Sequence, residues 1–117
     1  MAYGHLFGDT VIKGIARRLQ LSCRDGIHAY RFGGEEFALI VPNKSLRIAR
    51  QYGETLRRSI EKLSIKDRRT SEQVANITIS LGVAELEPGE SAESLIERAD
   101  KLLYEAKQLG RNRVMPI

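Results

Sequence analysis

Apolar positions recur along this chain with a helical period in three places and alternate in a fourth. Val11, Ile12, Ile15, Ala16 and Leu19 share one face of a first helix, which Asp9 is placed to cap. Leu46, Ala49, Tyr52, Leu56, Ile60 and Leu63 do the same for a second, over residues 44–64. Leu95, Ala99, Leu102, Leu103, Ala106 and Leu109 stripe a third helix. Ser91 caps it, Glu93 sits in its first turn where the dipole favours an acid, and Gly110 stops it. Between the first two helices, a short strand over 29–32 leads into Gly33-Gly34, and an apolar run over 36–41 returns as a buried central strand. Residues 74–83 alternate: Ile77, Ile79, Leu81 and Val83 on one side, Thr78, Ser80 and Gly82 on the other. The small side leaves room for a helix or backbone to come close. Residues 113–115 add a short edge strand. Helix, hairpin, helix, strand, helix predicts an α+β domain with helices covering an antiparallel-rich sheet.

A length of 117 residues fits one domain, 1–117, with a single core. No apolar run nears the roughly 18 residues of a membrane span. The lone Cys23 excludes an internal disulfide and a cysteine zinc site, which fits a reducing cytoplasm. A net charge of +4 suits anionic ligands, either a nucleoside triphosphate or a nucleic acid. Much of the excess lies in Arg47, Arg50, Arg57, Arg58, Lys62, Lys66, Arg68 and Arg69, whose helical spacing reads as a solvated outer face. Residues 66–73 are polar and read as a surface loop.

The segment Arg31-Phe32-Gly33-Gly34-Glu35-Glu36-Phe37-Ala38-Leu39-Ile40-Val41 carries the candidate chemistry. Glycines let the chain turn tightly and a ligand approach without a Cβ in the way. Paired carboxylates at a tip can hold a hard cation or take a proton, or serve merely as a solvated loop end. Five specified residues in a chain this long arise by chance at a frequency on the order of 10⁻⁴.

That pentad, 33–37, resembles the signature of the GGDEF family of bacterial diguanylate cyclases in its Gly-Gly-Glu-Glu-Phe variant. Three further blocks agree in family order. Tyr3-Gly4-His5-Leu6-Phe7-Gly8-Asp9 is similar to the (F/Y)GHxxGD segment, and Ser80-Leu81-Gly82-Val83-Ala84 to the S(I/L)G(V/I)A strand. The closing stretch from Ala99-Asp100 through Tyr104, Ala106-Lys107 and Gly110-Arg111-Asn112 resembles the segment that ends in GRN.

The resemblance implies a ferredoxin-like core shared with nucleotide cyclases, and condensation of two GTP into cyclic di-GMP with release of two pyrophosphates, assisted by Mg²⁺ or Mn²⁺. It implies that Glu35 is the metal ligand and, with Glu36, the catalytic pair, while Gly33 and Gly34 admit the nucleotide. Asp9 would accept hydrogen bonds from guanine; its competing role is the helix cap. Lys107 and Arg111 would hold the terminal phosphates, and being four apart they can share one side of a helix end; the alternative is compensation of the helix dipole. Arg24 stands at the arginine of the family's inhibitory RxxD motif, but Ile27 replaces the aspartate, leaving at most a residual product site.

In the family a strand and helix ending in Asn-Asp precede the GHxxGD block, whereas this chain has Met1 there. The expectation is a piece truncated at its N-terminus, cut from a longer signalling protein with a sensory domain, in the cytoplasm or on the cytoplasmic side of a membrane protein. Two symmetric substrates imply a homodimer for catalysis. No coiled-coil seam enforces one here, so the isolated chain is expected to be mainly monomeric and weakly active. Two other readings remain: a non-catalytic module that binds GTP or cyclic di-GMP, and a ferredoxin-like RNA binder. The second is disfavoured because such sheets present stacking aromatics and this chain has no Trp, so no nucleic acid partner is expected.

Overall fold

The computed structural model describes residues 5–24, 26–33, 36–63, 65–66, 73–74 and 77–117. Its elements run α1 His5–Ser22, β1 His28–Gly33, β2 Glu36–Ile40, α2 Leu46–Glu61, β3 Ile65–Lys66, β4 Gln73–Val74, β5 Leu81–Gly82, α3 Ala92–Gln108 and β6 Val114–Met115. The chain divides into two compact units. Residues 1–43 and 59–77 form the first, and residues 44–58 and 78–117 the second.

In the first unit, α1 buries Val11, Ile15 and Leu19, three residues at a spacing of four. The helix starts at His5, so Asp9 is its fifth residue and does not cap it. Gly8 does not prevent this extension, because an interior glycine costs a helix only about 1 kcal/mol. Gly26, at φ 81°, turns the chain into β1, and the Ile27 N–H bonds the Arg24 carbonyl at 2.9 Å. β1 and β2 pair antiparallel from His28 opposite Ile40 to Gly33 opposite Glu36, with a register shift between Arg31 and Gly33. β2 is not the buried central strand expected from its apolar run. Among the described residues it pairs with β1 alone, residues 36–39 are half-buried, and Ile40 is 57% exposed.

β3 and β4 form a second antiparallel pair, Ile65 opposite Val74 and Lys66 opposite Gln73. Both ends of the expected surface loop are therefore strand. Ile60, from the end of α2, and Ile77 are fully buried in this unit.

In the second unit, β5 and β6 run parallel, and the N–H groups of Leu81 and Val83 bond the carbonyls of Arg113 and Met115, each at 2.9 Å. The alternating run 74–83 is thus not one strand. It is split between the units, with Val74 in β4 and Leu81 in β5. α3 presses its backbone onto β5 at Gly82: a Cβ there would lie 2.1 Å from the Ala99 carbonyl oxygen and 2.4 Å from the Leu103 nitrogen. The close approach expected of the small face occurs at this residue. α2 lies over the same sheet, with Gly53 against the side chains of Leu81 and Val114.

Ser91 caps α3 as expected, its Oγ accepting from the Ser94 N–H at 3.1 Å, a contact worth about 1 kcal/mol. Leu109 leaves the expected stripe and is 52% exposed, because the helix has ended at Gln108. Ser45 caps α2 through the Ile48 N–H at 3.3 Å, and Glu85 accepts from the Leu46 N–H at 3.0 Å. Three helices and small sheets among the described residues make an α+β fold.

Candidate functional site

The hairpin tip carries the first group of candidate residues. Gly33 and Glu36 face each other in register at the end of the β1–β2 ladder. The register shift beside them is an extra residue on β1, and such bulges bend a strand and re-aim the residues beyond it. Glu36 opens β2 and is half-buried. Gly34 and Glu35 lie outside the described residues. Among the described residues no three His, Cys, Asp or Glu side chains converge on a point where a cation could sit.

Arg24 follows α1 and is exposed, next to the half-buried Ile27. Asp25, between them in sequence, lies outside the described residues. Asp9 belongs to α1 by its backbone, which removes the capping role that competed with ligand binding.

Lys107 and Arg111 belong to the end of α3 in the second unit. Lys107 sits in the last helical turn, half-buried, where a cation is favoured by the helix dipole. Arg111 does not continue the helix, so the spacing of four does not place it on a shared helical face. The Arg111 N–H bonds the Ala106 carbonyl at 2.9 Å, and the Gly110 N–H bonds the Lys107 carbonyl at 3.4 Å. This pair of bonds is a Schellman closure, with Gly110 at φ 116° supplying the left-handed step.

The left-handed path continues for two residues without the freedom of glycine. Arg111 has φ 64° and Asn112 φ 48°. A side chain in this region costs about 1–2 kcal/mol per residue, less for Asn, so the surrounding bonds must hold it. The Asn112 N–H donates to Ser80 Oγ at 3.1 Å, and its Oδ1 accepts from Arg57 Nη1 at 2.8 Å. Arg113 Nε donates to the Arg111 carbonyl at 3.0 Å. Arg57 in turn forks onto Glu54, with Nε to Oε2 at 3.0 Å and Nη2 to Oε1 at 2.5 Å. Its side chain is 15% exposed.

Arg57 is therefore not part of a solvated outer face. Arg50 leaves that face too, donating to the Pro116 carbonyl. Sequence spacing could not reveal this, because Arg57 and Asn112 stand 55 residues apart. Hydrogen bonding by Arg57 holds the Glu54 carboxyl below its ordinary value.

A second charged knot lies at the start of α3. Glu90 accepts from Arg98 Nε at 2.7 Å and Nη2 at 2.6 Å, and from Ser94 Oγ at 2.8 Å. Arg98 above all, then the Glu87 N–H, pull the Glu90 carboxyl down to about 2. Arg98 also donates to the Glu85 carbonyl at 2.5 Å, and Glu85 caps α2. No helix among the described residues is long and apolar enough to cross a membrane.

Comparison with known proteins covers nearly the whole chain. The family model described as diguanylate cyclase, GGDEF domain, matches residues 1–113. The chain is 69% identical over 115 residues to diguanylate cyclase VdcA of Vibrio cholerae, covering 98% of this chain and 34% of that protein. It thus spans about a third of that relative's length. Among solved structures, the GGDEF domain of DgcB from Caulobacter crescentus in complex with c-di-GMP is 41% identical with a TM-score of 0.87, over 96% of this chain and 66% of that one. The active GGEEF domain of a diguanylate cyclase from Vibrio cholerae is 28% identical with a TM-score of 0.79, over 96% and 69%.

Proposed function

This chain belongs to the GGDEF family of diguanylate cyclases, and from that membership we propose that it forms, as one domain over residues 1–117, the unit that condenses two GTP into cyclic di-GMP. The observation that carries the reading is the bulged end of the β1–β2 ladder, which sets Gly33 opposite Glu36, two residues of the Gly-Gly-Glu-Glu-Phe sequence.

In the reaction, the 3′-hydroxyl of each nucleotide loses its proton and its oxygen attacks the α-phosphorus of the other. The bond from each α-phosphorus to the bridging oxygen breaks, and two pyrophosphates leave. Such a displacement needs in-line positioning, help with deprotonation and neutralisation of phosphate charge. Glu36 offers carboxylate oxygens beside the tip, and hard oxygen donors suit a hard cation. Glu35, with phosphate oxygens, would hold Mg²⁺ or Mn²⁺. Nucleotidyl transfer in this family generally needs a divalent metal, which when bound neutralises charge on the phosphates. Gly33 and Gly34 would admit the nucleotide to the backbone. Asp9, relieved of capping, would accept from the N1–H and exocyclic amine of guanine, donors that adenine does not present together.

Lys107 and Arg111 would pair with the terminal phosphates, Arg111 with the bidentate geometry that guanidinium allows. Cyclic di-GMP would bind as product, with Arg24 pairing with one of its phosphates. The substrates would meet in a two-fold dimer of half-sites, brought together by a sensory region of a longer protein in the cytoplasm.

The test is incubation of the purified chain with GTP and Mg²⁺ or Mn²⁺, followed by chromatography of the nucleotides. Cyclic di-GMP should appear, and Glu35→Ala should reduce it by at least about a hundredfold, as expected when a metal carboxylate is lost. Product formation that survives Glu35→Ala would refute the assigned metal ligand. GTP or cyclic di-GMP binding without turnover would leave a non-catalytic module.

A further inference from the structure

The turn that carries Arg111 is built more heavily than the end of a helix requires. One left-handed residue, Gly110, with the two Schellman bonds is enough to close α3. Yet the chain keeps a left-handed path through Arg111 and Asn112, and both backbone polar groups of Arg111 are engaged: its N–H with Ala106 and its carbonyl with Arg113 Nε. The next residue, Asn112, is gripped from two directions. Ser80, just before β5, takes its N–H, and Arg57, from α2, donates to its side-chain oxygen. Arg57 has its own orientation set by the fork onto Glu54. The Arg111 side chain, by contrast, is exposed.

Strained backbone persists only where its surroundings over-determine it, and such strain collects at ligand clamps. We propose that Arg57, acting through Asn112, is a positioning residue for substrate: the Glu54–Arg57–Asn112–Ser80 clasp fixes the turn that aims the Arg111 guanidinium at the terminal phosphates of GTP. The inference rests on the phosphate-binding reading of Arg111. Arg57 itself does not touch the nucleotide. Its cation is spent on Glu54 and Asn112, and its effect on binding passes through the backbone of the turn. A fixed guanidinium binds better than a mobile one because the ordering cost has been met before the ligand arrives.

The experiment measures GTP affinity by titration calorimetry with Mg²⁺ for the full chain, Arg57→Met, Arg111→Ala and the double variant. Arg57→Met should weaken GTP about tenfold, and should add less than about twofold once Arg111 is Ala, the signature of two residues acting as one unit. Arg58→Met removes another partner of Glu54 but none of Asn112, and should leave affinity unchanged. Asn112→Gly deletes the acceptor while relieving the left-handed strain, so it repeats the test if Arg57→Met fails to fold; Asn112→Asp restores an acceptor and should restore binding.

Loss of GTP affinity of equal size in both Arg111 backgrounds would overturn the proposal, since Arg57 would then act directly or by general destabilisation. Normal affinity in Arg57→Met, with Arg111→Ala impaired, would overturn it while sparing the phosphate site. An Arg111→Ala variant that binds GTP normally, or a parent chain that binds none, would remove the phosphate reading and the clasp's role with it.

Discussion

Glu90 shows how much one carboxylate can organise when its acceptors are all used. It takes two bonds from Arg98, one from Ser94 and one from the Glu87 N–H, its side chain is 9% exposed, and its pKa falls from 4.5 to about 2. A carboxyl whose folded pKa is lowered binds its proton more tightly in the unfolded chain. Its contribution to stability is therefore complete above about pH 4.5 and is lost as the pH falls toward about 2. Glu90→Gln should lower the thermal midpoint at pH 7, and the gap to the parent chain should close between pH 4.5 and 2. Melts followed by circular dichroism across that range check it; a gap constant with pH would mean that charge on Glu90 is not the source. At this scale the sequence supplied the candidates through their motif, and the structure sets Gly33 opposite Glu36 while taking Arg111 off the helical face that its spacing from Lys107 suggested. Arg57 was not legible, because an arginine on a helix carries no mark of which distant group it will meet.

At the scale of elements, the three helices follow from apolar spacing and from caps within a few residues of each end. Ser91 and Gly110 act at α3 as their chemistry requires. Strands were harder. The apolar run of β2 reads as a buried strand, yet its ribbon leaves Ile40 largely exposed, and the alternating run before β5 divides between two units. A period of two says that residues alternate, not which partner strand they will find. The contact of α3 with β5 depends on the missing side chain at Gly82. Gly82→Ala should destabilise the chain by about 3 kcal/mol, because backbone atoms of Ala99 and Leu103 cannot yield as a flexible side chain would. Urea denaturation midpoints measure this, and a change under about 0.5 kcal/mol would mean that α3 can lift from the sheet at little cost.

For the whole molecule, each of the two units has its own buried residues: Val11, Ile15, Leu19, Ile60 and Ile77 in the first, Leu56, Ala106, Val114 and Met115 in the second. Among the described residues no helix carries the sustained heptad seam that would tie two copies together. The chain should therefore sediment as a monomer of 13.2 kDa without ligand. Cyclase activity should rise more steeply than linearly with its concentration, since two half-sites must meet. A tight ligand-free dimer in sedimentation velocity would contradict the first expectation, and strictly proportional activity the second.

The family signature of this protein is written locally. Paired glutamates on glycines, a capped and striped closing helix, and motif blocks in order lie within runs of a few residues, where side-chain type acts on neighbouring backbone and needs no distant partner. The tertiary structure alone decided what joins across the chain: Glu85 to the start of α2, 39 residues away, Arg57 to Asn112, 55 residues away, and the Ala99 carbonyl against Gly82. Such pairings form only after long loops close, and which partners then meet depends on how helices and strands pack rather than on any residue's own preference.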